Sequence, residues 1–263
     1  MLKKHSLITM IGIELEMEVK TRYKYLASTL SDFIIFTLAY IAVLFFSNVS
    51  VINRSYHTTD GIILILIGYM FWNVGVVAMD LSTQTVESDS QAGILEIEMQ
   101  SRFPLWFLII IRGFIVDLIT FAYLLVIGVV TALITGGSPF SIIWAIFLVI
   151  VISCVSNAGM FGIGLIFGAG SLIFKNIGQW ATLLQGVILI FANVAIPYTS
   201  WIQSILPFGL GIEITRNLYL KQGISIVYVL EYTMINFIFL CLGLFVFNMA
   251  LKHERKYGSF ERF

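Results

Sequence analysis

Residues able to do chemistry are scarce in this chain and rarely stand together. Glu213 and Arg216 are three apart, which places them on one face of any helix that carries them. That spacing suits a charged guard at an exit, or, more commonly, a local salt bridge. Arg112 and Asp117 are five apart, on different helical faces, a poor fit for an intrahelical ion pair, so each is expected to face an interface or another subunit. For Arg112 the commoner use is snorkelling to the membrane surface. His5, His57 and His253 lie far from one another, none with a second histidine three or four residues away, so no metal site is expected. No acid, base and nucleophile cluster, which removes the usual basis for an enzyme. A GxxxxGK[ST] segment, the loop that cradles nucleotide phosphates, is also missing from the sequence. The expected catalytic set is therefore empty, and no cofactor or metal is expected on this chain.

These groups are set in a strongly apolar background. Of 263 residues, 59% are hydrophobic and 11% charged, with mean hydropathy +0.97, whereas soluble domains carry about 25% charge. The formal net charge is zero and no basic stripe interleaves with aromatics, so nucleic acid is set aside as a partner. Roughly 20 apolar residues cross a hydrocarbon core, and runs of that length predict an all-α integral membrane protein with six spans. They fall near residues 32–51, 61–81, within 104–134, then 140–167, 177–196 and 232–251. Between the last two, Pro197, Pro207 and Gly209 break an apolar stretch into an expected re-entrant hairpin on the outer face. Arg54, Arg216 and Lys221 fall on one side of this map and the other lysines and arginines on the opposite side, which is therefore expected to be cytoplasmic and to hold both termini. No removable signal is expected at the amino terminus. The chain reads as one domain over 1–263: an interface helix in 1–31, a bundle in 32–251 and a cytoplasmic tail in 252–263.

Polar residues inside the spans, Asn157, Gln185, Asn193 and Asn236, serve as bridges between helices or as the lining of a path, bridging being the commoner use. Gly164 and Gly168 form a small-xxx-small pair, more often a packing seam within one chain than between two. Cys154 and Cys241 sit in apolar runs and behave as small hydrophobes. Trp106, Trp180 and Trp201 fall near span ends, as an interfacial belt requires.

Two segments on the cytoplasmic side stand out. Before the first span, Leu15, Val19, Tyr23, Leu26 and Leu30 recur at helical spacing, while Glu16 and Lys20, and Glu18 and Arg22, stand four apart in the favourable order. Such a helix lies in the interface plane with its apolar stripe in lipid. After the second span, Ser88, Asp89 and Ser90 offer N-cap oxygens, and Ile94, Leu95, Ile97 and Met99 alternate with Glu96 and Glu98 before Pro104 resets the chain. Apolar residues set beside carboxylates suit docking on a protein surface better than a solvated loop.

The order of the interface helix with ELEMEVKTRYKYL, six spans, GILEIEMQSRFP after the second span and a Leu206-Pro207 hairpin before the sixth resembles the type-2 permeases of ATP-binding-cassette (ABC) exporters. The likeness covers nearly the whole chain. Its most specific element is Gly93-Ile94-Leu95-Glu96 followed by Ser101, where the family commonly has Gly-Thr-Leu-Glu and then Ser-Pro; Leu206-Pro207 with Arg216 downstream comes next. Ile94 stands where threonine is usual, and Arg102-Phe103 separates Ser101 from Pro104. The resemblance implies a half-channel in the plasma membrane that pairs with a second copy or a paralogue. It also implies a separate cytoplasmic ATPase subunit that carries ATP and Mg. That subunit would bind the interface helix through Glu16, Lys20, Arg22 and Tyr23, and a coupling helix over 87–100 through Glu87, Asp89, Gly93, Ile94, Leu95, Glu96 and Glu98. Asp117, Pro207, Glu213 and Arg216 become candidates for the translocation path or outer gate. The implied cargo is amphiphilic: drug-like, lipid-linked or a peptide. A polysaccharide or teichoic-acid exporter is the near alternative. An ion-driven secondary transporter is the rival from another class, and only Asp117 approaches the midplane carboxylates it would need.

Overall fold

A computed structural model of the chain describes residues 7–101, 103–136, 138–174 and 177–257. Every regular element among them is a helix: α1 (Leu7–Lys24), α2 (Leu26–Phe46), α3 (Val49–Tyr56), α4 (Gly61–Gln91), α5 (Leu95–Met99), α6 (Leu105–Thr135), α7 (Pro139–Phe174), α8 (Gly178–Phe191), α9 (Trp201–Ile205), α10 (Gly209–Tyr219) and α11 (Ile226–Tyr257). Apolar runs form helices here because hydrocarbon offers no hydrogen-bond partner, so each backbone N–H must find a carbonyl within its own segment. Five helices, α2, α4, α6, α7 and α11, are long and apolar enough to cross a membrane. The protein is an all-α, multi-pass membrane protein.

α4 is the central helix, buried along most of its length, while α2 lies at the periphery with Tyr40 as its buried anchor. α7 packs most extensively, against α4 on one face and α11 on another. Missing side chains permit this. A Cβ at Gly162 would stand 2.2 Å from the Phe239 carbonyl oxygen, and one at Gly243 would stand 2.1 Å from that of Gly162. On the α4 side a Cβ at Gly164 would meet the Met79 carbonyl at 2.5 Å, and one at Gly168 would meet that of Ser82 at 3.1 Å. The Gly164 and Gly168 pair thus packs helices within this chain.

Five expected boundaries move. The first span ends at Phe46 rather than residue 51, because the Asn48 side chain accepts the Val51 N–H at 3.3 Å and starts α3. The interface segment breaks at Tyr25, where Arg22 bridges the bend by donating to Asp32 at 2.8 Å. The expected cytoplasmic helix over 87–100 is divided. Glu87 and Asp89 belong to the last turns of α4, the N-cap role of Ser88-Asp89-Ser90 is not realised, and Gly93 turns the chain at φ +69° into the short α5. The expected fifth span is only the 14-residue α8, which at about 1.5 Å per residue reaches about 21 Å, short of a core of roughly 30 Å. The expected tail continues α11 as far as Tyr257, and residues 258–263 lie outside the described residues.

Gly162→Ala or Gly243→Ala should lower the thermal unfolding midpoint in detergent, with an overpacking cost of about 1–3 kcal/mol. Gly186→Ala, where a Cβ meets nothing within 4 Å, should leave the midpoint unchanged or raise it.

Candidate functional site

Four elements meet around one guanidinium at the end of the bundle where α4 stops and α6 begins. Arg112, two turns into α6, donates from Nη2 to Glu98 of α5 at 2.7 Å. Its Nε lies 3.3 Å from both carboxylate oxygens of Glu14 on α1. Its Nη1 forms an ion pair with Asp89, at the end of α4, at 3.7 Å. Arginine suits this position because its planar fork presents five donors in fixed directions. Three carboxylates surround one cation, and Glu98 Oε2 and Asp89 Oδ2 are buried without a hydrogen-bond donor. A cavity of about 430 Å³ adjoins the cluster, with Glu14, Glu18, Asp89, Ile94, Glu98 and Arg112 in its wall.

The expected coupling residues divide between two faces. Leu95 is 1% exposed and pins α5 to the core, and Glu98 turns inward to Arg112. Ile97 is 70% exposed and Ile94 44%, beside the exposed Gly93, Gln91 and Gln100, so the outward face of this end carries aliphatic side chains among polar ones. Glu87 faces α8 and accepts the Gly178 N–H at 3.3 Å. The Glu96 side chain and the whole of Arg102 lie outside the described residues. On α1, Glu16 and Lys20 pair at 2.5 Å in the open, which holds the Glu16 carboxyl below its usual range. Arg22 binds Glu18 at 2.9 Å besides Asp32, and Tyr23 stands exposed beside Val19 in the apolar stripe.

At the opposite end Arg216 is fully buried. It donates to the carbonyls of Leu64 at 3.0 Å, Val194 at 2.7 Å and Ile196 at 3.1 Å. Two of those carbonyls, of Val194 and Ile196, belong to the non-helical stretch between α8 and Pro197, where no helical N–H meets them. The expected direct salt bridge between Glu213 and Arg216 does not occur. The Tyr56 hydroxyl stands between them, donating to Glu213 at 2.5 Å and accepting from Arg216 at 3.5 Å. Pro207 contributes its carbonyl to Asn236 Nδ2 at 2.8 Å. These residues lock the fold at this end.

The four polar residues singled out above each reach another segment, Asn236 through the Pro207 carbonyl. Gln185 donates to Asp80 at 2.6 Å, Asn193 to the Gly209 carbonyl at 3.1 Å, and Asn157 to Asp117 at 2.8 Å. Asp117 is 2% exposed and touches none of the cavity described above. Sequence reasoning missed Glu14 and Arg112 as partners. An available signal was that Arg112 is the lone cation of an apolar run flanked by carboxylate-rich segments. Nothing local marks Tyr56.

Arg112→Ala leaves Glu14, Asp89 and Glu98 facing one another with no cation. Loss of these charge-assisted bonds should cost on the order of 1.5–3 kcal/mol and speed amide exchange in α1 and α5 first. Arg112→Lys should restore only part of the protection, because a point charge cannot reach three carboxylates at once.

Comparison with known protein-family models and with characterised proteins gave no match for this chain.

Proposed function

We propose that this chain is the membrane-spanning permease subunit of a type-2 ABC exporter, moving an amphiphilic substrate out of the cytoplasm with ATP hydrolysed by a separate subunit. The observation that carries this reading is the Arg112 cluster: one residue ties the interface helix α1, the end of α4, the short α5 and the start of α6 into a unit. A unit of that kind transmits a push. An ATPase pair closing beneath the exposed Ile94 and Ile97 would drive α5 inward, and Leu95, Glu98 and Arg112 would pass the displacement to α4 and α6 together.

In this reading the Arg112 end is cytoplasmic, as are both termini, and the membrane is the plasma membrane. α8 with the extended stretch after it serves as the fifth of six crossings, and α9 with α10 forms the outer re-entrant hairpin. The peripheral apolar faces of α2 and α8 would meet a second permease copy or a paralogue. Glu213, Arg216 and Pro207 act in this scheme as the rigid outer frame against which the inner ends move.

The test is reconstitution with the ATPase subunit that copurifies with the chain. Ile97→Lys should insert and fold as wild type, yet lose the permease-dependent stimulation of ATP hydrolysis by tenfold or more. Stimulation at the wild-type level would remove α5 as the docking element. Substrate movement by the chain alone, driven by a proton or sodium gradient, would overturn the exporter reading as a whole.

A further inference from the structure

Asp117 on α6 and Asn157 on α7 meet inside the bundle, each 2% exposed. Asn157 Nδ2 donates to Asp117 Oδ2 at 2.8 Å, and there the pairing stops: Asp117 Oδ1 and Asn157 Oδ1 are both buried without any hydrogen-bond partner. Two orphaned acceptors on adjoining residues define what is missing. An amide and a carboxylate can make one hydrogen bond, whereas an amide and a carboxylic acid can make two, closing a ring. A single proton on Asp117 Oδ1 converts that oxygen into a donor and satisfies both orphans at once.

From this geometry we infer that Asp117 and Asn157 form a proton-binding site, in which a neutral Asp117 clamps α6 to α7 by a two-bond acid–amide pair. The alternatives fail on composition. A hard metal cation needs about six oxygen ligands, and the described residues hold no group of three or more histidine, cysteine or acidic side chains placed to share one. The hydroxyls nearby are already committed, Thr120 to the Val116 carbonyl, Ser153 to that of Ile150 and Ser156 to that of Ser153. An ionised Asp117 would need a counter-charge, and the arginine five residues earlier on α6 is taken: Arg112 is bound to Glu14, Asp89 and Glu98.

The groups on the surrounding helices leave the site to these two residues. On α7 the Cys154 thiol is the titratable neighbour that interacts with Asp117. On α4 the carboxylates of Asp80 and Glu87 are turned to α8, bonded to Gln185 and Gly178. On α11 the Tyr232 hydroxyl is spent on the Ile152 carbonyl at 2.7 Å and the Ser156 N–H at 3.0 Å, and on α1 Glu14 is held by Arg112. Loss of the proton would set a carboxylate oxygen against the amide oxygen of Asn157 and loosen the joint between α6 and α7. The inference does not depend on the exporter reading.

Infrared spectroscopy of the purified chain in lipid nanodiscs at neutral pH tests it. The difference between wild type and Asp117→Asn should contain the carbonyl stretch of a protonated carboxylic acid. The variant should fold, since an asparagine at 117 can form the same two-bond ring with Asn157. Asn157→Leu reads the site a second way, because removing the amide frees the acid carbonyl and should shift its band to higher frequency. Absence of the band in wild type, or a band unmoved by Asn157→Leu, would overturn the assignment. So would disappearance of the band on adding sodium chloride at constant pH, which would mark a metal-cation site instead.

Discussion

Hydrocarbon gives a polypeptide nothing to hydrogen-bond to, and the architecture follows from how this chain meets that demand. The long helices satisfy their own backbones. Where the helix fails, side chains take over. After α8 the chain leaves the helical path, and the carbonyls of Val194 and Ile196 are recovered by Arg216, with Asn193 reaching across to Gly209. In α7 the Tyr232 hydroxyl inserts between the Ile152 carbonyl and the Ser156 N–H, two groups an undisturbed helix would join to each other.

The two ends of the bundle use arginine in opposite ways. Arg216 is enclosed and bonds chiefly to carbonyl oxygens fixed in the backbone, so moving it would strand a buried cation and several acceptors together. Arg112 bonds to side-chain carboxylates from three other helices, is a quarter exposed and borders a cavity. One end is a lock and the other a joint. Side chains from α1, α5, the end of α4 and the start of α6 converge on Arg112, whereas backbone carbonyls converge on Arg216.

Glycine sets the geometry that makes those pairings possible. The contacts of Gly162 with Phe239, and of Gly164 with Met79, bring α11 and α4 against α7 at backbone distance, which fixes the rotation of each helix about its axis. Rotation decides partners, because one residue along a helix turns the side chain by about 100°. The small-xxx-small pattern was legible in the sequence. Its partner helix, and hence whether it joined two segments of one chain or two chains, was not.

Composition and apolar run length alone determined the helical membrane class and the approximate position of the long helices, because transfer of side chains between water and hydrocarbon is a local property of each segment. Facing residues were beyond that reading. Glu14 and Arg112 are 98 positions apart, and Tyr56 and Glu213 are 157 apart, so nothing in either neighbourhood names the other. The early end of α8 belongs to the same class, since Ile177 to Ile196 is apolar enough to continue, and the non-helical carbonyls of Val194 and Ile196 are met by Arg216 from a later helix. Local free energy places an element in the membrane, but the pairing of its charges and the point where it stops depend on which surfaces meet after the helices have packed.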